Sequence, residues 1–420
     1  MKVLVCGANG TIGRAIRERL AAHGHDVIAG VRTPRRDGDI AIDYRRDHDV
    51  AAWLPRIAEV DAVVNAVGIL TERGGQRFDA VHRAAPVALF EACRAAGGRR
   101  IVQISALGAE AGATPFLRSK RDADRHLLAM PGDALVARPA LVFDPAGHST
   151  RLFAALASLP LHLLPDGGRQ RLRPVHRDDL AELVVRWLER GTPGRESADV
   201  VGGREVSYGE MLAIYRAALG GRPARGISVP GALVGAAAAA IGHLPGAMLD
   251  RDTWTMLANG NTASAGGTAR LLGRRPLGLP QGVAGAGADA QRLRAGALAA
   301  IRLPLLRGAL AFVWLWTAWV SAFVFPREAS LARLGAMHLH GLAATAALYG
   351  ACALDAGLGL LTLARPGRRL WLAQFALVAG YTAAIALALP AQFAEPFGPL
   401  IKNVPILAIL FLLIHESDFS

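Results

Sequence analysis

The sequence predicts a two-part chain, in which an α/β doubly wound parallel sheet is followed by an all-α bundle of about four transmembrane helices. The first part is predicted because short apolar runs alternate with segments of helical spacing over roughly the first 140 residues. The second part is predicted because charged residues are dense before about residue 300 and sparse after it, where long apolar runs follow one another.

The composition narrows the classes of partner. The chain has 420 residues, which predicts two or three domains, and a formal net charge of +13. No run of five or more basic residues occurs, which disfavours nucleic acid. The excess of arginine, alanine and glycine indicates a mainly compositional bias, with a contribution from loops that face an anionic membrane leaflet. The cysteines lie far apart, without metal-ligand or disulfide spacing, which predicts no metal site and a reducing compartment. They are Cys6, Cys93 and Cys352.

Apolar runs predict six buried parallel strands, and helical spacing predicts the helices between them. The strands are expected at residues 2–6, 26–31, 40–42, 62–67, 100–104 and 134–138. The helices are expected at residues 11–23, 78–96 and 116–130. Past Pro139 the order is looser, and a small substrate-side lobe is expected from about residue 140, so that the first domain covers residues 1–290.

Three segments of this lobe carry expectations of their own. Residues 175–190 are predicted to form a helix with Asp178 or Asp179 as its N-cap and with His176 in a packing role. Residues 230–241 are apolar but too short to span a bilayer, which favours a buried helix. Residues 260–287 are rich in glycine and are expected to be irregular.

A glycine-rich turn connects the first strand to the first helix. Gly7 permits a tight turn, Gly10 lets a pyrophosphate approach the backbone, and Gly13 lets helix and strand pack closely. The N-terminus of the helix then offers N–H groups and partial positive charge to phosphates. This strand–turn–helix context predicts a dinucleotide site in a Rossmann sheet. Its predicted cofactor-binding residues are Gly7, Asn9, Gly10, Thr11, Ile12 and Gly13.

The end of the second strand indicates which dinucleotide is preferred. An acidic residue there would favour NAD, but the sequence has Arg32, nineteen residues after Gly13. A guanidinium at this position can pair with a ribose 2′-phosphate. The sequence therefore predicts that NADP(H) is preferred over NAD(H), with a solvated basic loop as the alternative explanation.

The first 290 residues resemble the atypical short-chain dehydrogenases/reductases, in particular the NmrA-like group and the nucleotide-binding accessory subunit of respiratory complex I. The motifs that carry the resemblance are GANGTIG, VVNAVG, FDAVHRAAPVALFEACRAAGGRRIVQISALGA, ARPALVFDP and RPVHRDDLAELV. The resemblance implies that Asp43 lies near the adenine and that Ser105 and Lys120 are the active-site serine and lysine. It also implies that one strand end lines the nicotinamide ribose side, namely Asn65, Ala66, Val67 and Gly68.

One residue of the family's active site is missing. The family's YxxxK motif is present here as Phe116-Leu117-Arg118-Ser119-Lys120. Phenylalanine has no proton to give, so the usual general acid and base is absent. Cofactor binding is expected to survive, whereas conventional carbonyl reduction is in doubt. Hydride transfer to an acceptor that needs no enzyme-held phenol, such as a quinone-like or flavin-like one, stays open.

Four apolar runs after residue 300 predict a membrane domain at residues 305–420, joined to the first domain by a basic linker at residues 291–304. The runs cover residues 305–325, 339–363, 370–389 and 400–415, the last being the shortest. The tail resembles the DoxX-like family through HLHG, YGACALDAGLGLL and KNVPILAILFLL. The fusion of the two parts is similar to bacterial reductase–DoxX-like chains, which implies a multi-pass protein of a bacterial-type inner membrane.

Basic residues predict the orientation of the spans. Arginines precede the first span and separate the second from the third, whereas the loops on the other side have fewer basic residues. The positive-inside rule then places both termini and the Rossmann domain in the cytoplasm. Within the second span, Asp355 is expected to face the bundle interior, with Gln374 or Tyr381 as its hydrogen-bonding partner.

Two functional hypotheses follow. The first is a membrane-anchored NAD(P)H-dependent oxidoreductase acting on a lipophilic or quinone-like substrate, supported by Ser105 and Lys120. The second is a non-catalytic NADPH-binding module for membrane assembly or redox sensing, supported by Phe116. A transporter is disfavoured because the spans hold few ionisable groups. The oligomeric state is left open.

Overall fold

The computed structural model describes residues 1–242, 250–285, 287–335, 338–388 and 401–417. The chain divides into two compact units, Met1–Leu298 and Ala299–Ser420. The strands are β1 Lys2–Cys6, β2 Asp26–Val31, β3 Ile40–Ala41, β4 Ala62–Asn65, β5 Arg100–Ile104, β6 Ala134–Pro139, β7 Val142–Phe143, β8 Leu161–Pro165, β9 Arg171–Leu172, β10 Val175–His176, β11 Arg195–Val200, β12 Val206–Ser207 and β13 Arg225–Val229.

The helices of the first unit alternate with these strands. They are α1 Thr11–Ala22, α2 Val50–Ile57, α3 Ala85–Ala95 (preceded by a π-helical turn, Asp79–Ala84), α4 Pro115–Ala129, α5 His148–Ser158, α6 Arg177–Glu189, α7 Tyr208–Ala218, α8 Gly231–Ile241, α9 Arg251–Ala258, α10 Gly266–Leu272 and α11 Leu279–Ala284. The remaining helices are α12 Ala288–Trp319, α13 Arg327–Gly335, α14 Gly341–Ala364, α15 Arg368–Ala388 and α16 Asn403–Glu416.

The main sheet has seven strands in the order β11-β6-β5-β4-β1-β2-β3, and every neighbouring pair is parallel. The chain runs outward from β1 to β3 and then returns to β4 on the other side of β1. The switch point, where ligands bind in such sheets, therefore lies at the carboxyl end of β1. The predicted α/β doubly wound (Rossmann) sheet is confirmed, and β11 is an edge strand that the sequence analysis did not predict.

Helices cover both faces of this sheet. The side chains of β1 alternate between the two faces, and they are apolar on each face. Val3 and Val5 belong to the cluster that includes α1 and α6, whereas Leu4 and Cys6 belong to that of α2, α3 and α4. All four side chains are fully buried. A strand buried on both faces gives the short, continuously apolar run from which β1 was predicted.

Two predictions for the lobe are wrong in local detail. The helix α6 begins at Arg177, and its N-cap is His176, whose imidazole accepts the backbone N–H of Asp178. Neither Asp178 nor Asp179 is the cap, because both lie in the first turn. The described residues between 260 and 285 are not irregular throughout, since they contain α10 and α11. Glycines there end one helix and begin the next, at Gly273 (φ +65°) and Gly278.

The expectation of a buried helix at residues 230–241 is also wrong. A helix forms, as α8, and it packs on α9. However, its two buried residues with described side chains are Gly231 and Ala238, while Leu233 is 62% exposed. Apolar composition alone predicted burial, and nothing in the described part of the chain covers the outer side of this helix.

The second unit is helical and contains three helices long and apolar enough to cross a membrane. They lie at Ala290–Val324, Gly341–Ala364 and Arg368–Leu387. The fourth predicted span corresponds to α16, whose 14 residues reach about 21 Å, short of the roughly 30 Å hydrocarbon core. The described residues therefore hold three candidate spans rather than four. Residues 291–304, expected as a linker, are helical and continuous with the first span.

Asp355 lies inside the second unit, as its sequence context predicts, and is 9% exposed. The suggested partner Gln374 bonds elsewhere: it accepts from Trp314 Nε1 (2.9 Å) and donates to Thr362 Oγ1 (2.8 Å). Tyr381 makes no described hydrogen bond to Asp355 either. The Oδ1 atom of Asp355 is buried without a hydrogen-bonding partner among the described residues, so the predicted pairing is wrong while the predicted position is right.

Candidate functional site

The glycine turn has the geometry that a dinucleotide site requires. Gly7 has φ +80°, a conformation that favours glycine, and its N–H donates to the Gly30 carbonyl (2.9 Å). A Cβ atom added at Gly13 would lie 2.2 Å from the Gly7 carbonyl oxygen, so only glycine permits this approach of helix to turn. Gly10 is the N-cap of α1 and provides no capping side chain. The first N–H groups of α1 are thus left for a ligand.

A cavity of about 690 Å³ opens at the switch point, where β1, β2 and β4 end. Most of the residues predicted from the sequence to bind the cofactor line it, namely Gly7, Asn9, Gly10, Arg32, Asp43, Ala66, Val67 and Gly68. Thr11, Ile12, Gly13 and Asn65 are absent from the lining. The residues present fit a dinucleotide, because a Cβ atom added at Gly10 would meet only the Gly7 carbonyl oxygen within 4 Å, which leaves space for a phosphate beside this backbone.

The wall around Arg32 is more basic than the sequence analysis predicted. Five further arginines line the same cavity, and they are Arg14, Arg17, Arg35, Arg36 and Arg45. Asp39 also lines it, but its carboxylate accepts the backbone N–H groups of Arg35 (3.0 Å) and Arg36 (3.1 Å). These hydrogen bonds lower the pKa of Asp39. The six arginine side chains thus outnumber the two acidic groups that line the cavity, Asp39 and Asp43.

Two of the arginines could have been found from the sequence. Arg14 and Arg17 are three residues apart on α1, and residues three apart in a helix share a face. Because the helix starts at the glycine turn, that face borders the phosphate site. The glycine motif ends at Gly13, so it does not by itself point to these two residues of the helix that follows.

Asn65 has a different position from the one that the resemblance implies. Its side chain is fully buried and donates from Nδ2 to Gln103 Oε1 (2.7 Å). Its Oδ1 accepts from the Tyr44 hydroxyl (2.9 Å) and from the Val67 N–H (3.2 Å). Asn65 therefore supports the turn that carries Ala66 to Gly68 and does not line the cavity itself.

Asp43 lines the cavity as expected, but it is already paired. The guanidinium of Arg45 binds both of its carboxylate oxygens, at 2.9 Å from Nε and 2.7 Å from Nη2. This pairing lowers the pKa of Asp43 to about 2. Asp43 is consequently a carboxylate at neutral pH, able to accept hydrogen bonds from a hydroxyl or amine.

Ser105 and Lys120 lie together just beyond the cavity lining. Lys120 Nζ donates to the carbonyl oxygens of Ile104 (3.1 Å) and Val67 (3.4 Å). A Cβ atom added at Gly68, which lines the cavity, would lie 3.3 Å from the same Nζ. Burial lowers the pKa of Lys120 to about 8, and Asp124 opposes this shift. The ammonium therefore reaches the inner edge of the dinucleotide cavity.

Asp124 is a further site residue that sequence reasoning missed. It is fully buried one helical turn beyond Lys120 and accepts a hydrogen bond from the Ser105 hydroxyl. Arg138 Nε lies 3.6 Å from the same carboxylate, whose other oxygen has no hydrogen-bonding partner among the described residues. Burial raises the pKa of Asp124, and the bond from Ser105 opposes the rise. The spacing of Lys120 and Asp124 was the available signal, since residues four apart share a helix face.

Phe116 packs in an aromatic cluster rather than toward a polar partner. Its ring lies edge-on to His82 (5.4 Å) and Phe78 (5.9 Å), and it is 9% exposed. His82 Nε2 accepts the Ile69 N–H (3.0 Å), so Nδ1 donates to Ser119 Oγ (2.9 Å), which donates to the Phe116 carbonyl (2.8 Å). Burial, then Lys120, lowers the pKa of His82 to about 2, so this imidazole is neutral.

A second cavity, of about 540 Å³, lies on the other side of α4 from the sheet core. Pro115, Arg118, Ser119 and Asp122 of α4 line it, as do Phe78 and Asp252. Its lining also includes Gly242 and Asp250, which flank residues outside the described ranges. Across the described ranges, no group of three histidine, cysteine, aspartate or glutamate residues is arranged to hold a metal ion.

Comparison with known families agrees with the two-part organisation. Residues 7–190 match the family described as NAD(P)H-binding, and residues 311–411 match the DoxX-like family. The chain thus has an N-terminal NAD(P)H-binding Rossmann-like domain and a C-terminal DoxX-like domain, and with its apolar helices it is membrane-associated.

Three curated relatives are similar to part of this chain. A ceramide reductase of Caulobacter vibrioides is 25% identical over 276 residues, 64% of this chain and 83% of that protein. The chloroplastic divinyl chlorophyllide a 8-vinyl-reductase of Zea mays is 28% identical, over 54% of this chain and 61% of that one. The mitochondrial NADH-ubiquinone oxidoreductase 40 kDa subunit of Neurospora crassa is 24% identical, over 49% and 57%. The last match confirms the resemblance to a complex I subunit.

Solved structures share the fold. An NADPH-dependent quinone oxidoreductase of Escherichia coli, complexed with NADPH, superposes with a TM-score of 0.53 at 18% identity, over 68% of this chain and 99% of that one. A UDP-glucose 4-epimerase of Thermotoga maritima superposes with a TM-score of 0.53 at 15% identity, over 70% and 99%. The relatives include reductases and epimerases, which supports an oxidoreductase-type enzyme.

Proposed function

We propose that this chain is a membrane-anchored NAD(P)H-dependent oxidoreductase that reduces a lipophilic, quinone-like acceptor. The observation that carries the proposal is the position of Lys120, whose ammonium lies at the inner edge of a dinucleotide cavity and beside Ser105 and Asp124. Bound NAD(P)H would supply a hydride at that edge. The apolar helices would keep the site close to acceptors dissolved in a bilayer.

The absence of a phenol restricts the acceptor. A ketone must receive a proton as the hydride arrives, and Phe116 has none to give. A quinone spreads the incoming charge over a conjugated ring, so its reduction to a quinol needs a hydride and one proton without a phenol beside the carbonyl. In the proposed mechanism Asp124 enters the step protonated. The Ser105 hydroxyl passes its proton to the acceptor oxygen as it takes the proton of Asp124, which leaves Asp124 as a carboxylate, while Lys120 stabilises the negative charge.

The proposal includes a preference for NADP(H) over NAD(H). It is supported by the arginines around Arg32 and by the absence of an acidic residue at the end of β2. A 2′-phosphate carries the charge that such a wall would bind. We further propose that the first unit lies in the cytoplasm of a bacterium, on the basis of the arginines that flank the first span.

A non-catalytic NADPH-binding module is the second candidate, and one observation favours it. The Phe116 ring is held in an aromatic cluster with a neutral His82, which is a packing arrangement rather than a catalytic one. In this alternative, bound NADPH stabilises the first unit and reports the redox state to a membrane partner.

The experiment is to follow NADPH oxidation by the full chain in detergent, with a short-chain quinone and with a simple aldehyde. We expect turnover with the quinone alone, and the matched variant Phe116→Tyr to leave that rate within about threefold, because no step uses the phenol. Aldehyde reduction that appears or rises in Phe116→Tyr would identify a reductase that lost its acid. No turnover by either protein, with NADPH still raising the melting temperature, would favour the binding module.

A further inference from the structure

The helix α8 has no polar side chain and is nevertheless exposed. Its sequence is GALVGAAAAAI, and a helix that is apolar all round is normally buried in a core or a membrane. On α8 the inner positions Gly231 and Gly235 lie against Trp254 of α9, while Leu233 is 62% exposed. Ala236 and Ala237 are exposed as well. One side of this helix therefore lacks a covering surface in the part of the chain that the structure describes.

A second set of exposed apolar residues adjoins α8. The strands β8 and β13 pair in parallel, with Leu163 opposite Ile227. Leu161 and Leu163 point to the same side, since side chains alternate along a strand, while His162 between them is buried. Leu161, Leu163 and Ile227 are 39%, 61% and 44% exposed.

The two sets belong to one surface. The Gly231 N–H donates to Asp166 Oδ1 (2.8 Å), which ties the first residue of α8 to the residue directly after β8. Pro230 is the only residue between β13 and α8. We name this surface the apolar lobe face and define it by Leu161, Leu163, Ile227, Leu233, Ala236 and Ala237.

The charges around the apolar lobe face are mostly positive. Residues 159–169 and 222–241, which build it, contain exposed Arg169, Arg222 and Arg225. Their one acidic residue is Asp166, which is engaged with the start of α8. An apolar surface with a basic rim is complementary to an anionic membrane, whose headgroups attract arginine while the acyl boundary accepts leucine.

We propose that the apolar lobe face inserts into the headgroup region of an anionic lipid bilayer, giving the first unit a contact with the membrane besides the spanning helices. The chain itself brings such a bilayer near. The first unit ends at Leu298, and the apolar run of the first span begins at about residue 305, within the same unbroken helix α12. Little chain separates the first unit from the hydrocarbon, so a bilayer is the apolar phase that this face meets at the highest effective concentration.

The test uses the full chain in nanodiscs of mixed neutral and anionic lipid, with a polarity-sensitive thiol label on Leu233→Cys. The native cysteines are all buried, so the unsubstituted protein is the background control. Leu54→Cys is the matched position, because Leu54 is 37% exposed on α2, outside the apolar lobe face. We expect nitroxide lipids to quench about half or more of the fluorescence of the label at position 233, since such faces enter about 5–10 Å into the bilayer. Iodide in the buffer should quench only the label at position 54.

Leu163→Cys is a second reporter on a separate element, for use if Leu233→Cys fails to bind NADPH or to fold. Iodide quenching at both reporters equal to that at Leu54 would show a face open to water and would overturn the proposal. A blue-shifted label that nitroxide lipid does not quench would also overturn it, because a protein surface, such as a second copy, would then be the occupant. Equal lipid quenching in purely neutral nanodiscs would refute the part assigned to the basic rim.

Discussion

Replacing Arg32 by alanine tests how the cavity distinguishes the two dinucleotides. Arg32 lines the cavity at the end of β2, and no acidic side chain of the described residues is paired with it. A hydrogen bond between charged groups contributes about 1.5–3 kcal/mol. Because about 1.4 kcal/mol corresponds to a factor of ten in affinity, loss of Arg32 alone corresponds to roughly 10- to 100-fold.

The structure favours the lower end of that range. Arg14, Arg17, Arg35 and Arg36 line the same cavity and would hold part of the phosphate charge in the variant. We therefore expect Arg32→Ala to weaken NADPH binding about tenfold and NADH binding by less than about twofold, since NADH has no 2′-phosphate. Titration of the full chain in detergent, followed by cofactor fluorescence, measures both constants.

Arg46→Ala is the matched control, because Arg46 is an exposed arginine of the neighbouring segment that does not line the cavity. It should leave both affinities unchanged. Equal affinity of the wild-type chain for NADPH and NADH would refute the argument from the arginines. An equal loss of NADH affinity in Arg32→Ala would show that Arg32 supports the fold of the loop instead.

Two further predictions concern the turn and the lysine. Gly10→Val should abolish binding of both dinucleotides while the chain stays folded. A Cβ atom there would lie 3.2 Å from the Gly7 carbonyl oxygen, and the methyl groups of the valine would fill the space of the phosphate. Retained affinity in a folded variant would contradict the assigned site. The pKa of Lys120 is lowered to about 8, so its charge is present below that pH and lost above it. NADPH affinity should thus fall as pH rises through about 8 in the wild type and stay flat in Lys120→Met, and a titration that is flat in both would show that the ammonium does not reach the cofactor.

The parts of the fold that could be predicted from sequence are those set by local pattern. β1 was recognisable because burial on both faces leaves only apolar residues, and the Gly7 to Gly13 turn because helix and turn approach closely there. β11 could not be recognised in the same way. It is an edge strand of sequence RESADV, with exposed polar residues in alternation, so it lacks the continuous apolar run of the central strands.

The site was predictable only in part, for a related reason. The motif placed Gly7 and Gly10 at the cavity, but the position of Asn65 depends on a buried network with Tyr44 and Gln103 from other elements. Asp124 was missed because its contact with Ser105 joins residues 19 apart in sequence. The prediction of a buried helix at α8 was wrong because an apolar composition indicates that a segment avoids water. It does not indicate whether protein or lipid covers the segment.

The structure restricts the proposed reduction most through the groups that could give a proton to the acceptor. A tyrosine from elsewhere in the first unit could in principle replace the missing phenol, but each one there is engaged. Tyr44 is buried with its hydroxyl on Asn65, and its pKa is raised by burial. Tyr208 and Tyr215 are buried in the core of the lobe, and burial raises the pKa of each as well. Tyr208 and Tyr215 are turned into a core, and Tyr44, although it lines the cavity, donates its proton to Asn65, so none of the three phenols presents a proton to an acceptor. These observations support our proposal that the Ser105 hydroxyl, with a protonated Asp124 behind it, delivers the proton at the inner edge of the cavity. A serine is a far weaker acid than a phenol beside a lysine, so the arrangement suits an acceptor whose reduced form is itself a stabilised anion. The need for a stabilised anion, rather than the fold, is thus our reason for proposing a quinone-like acceptor and not an aldehyde.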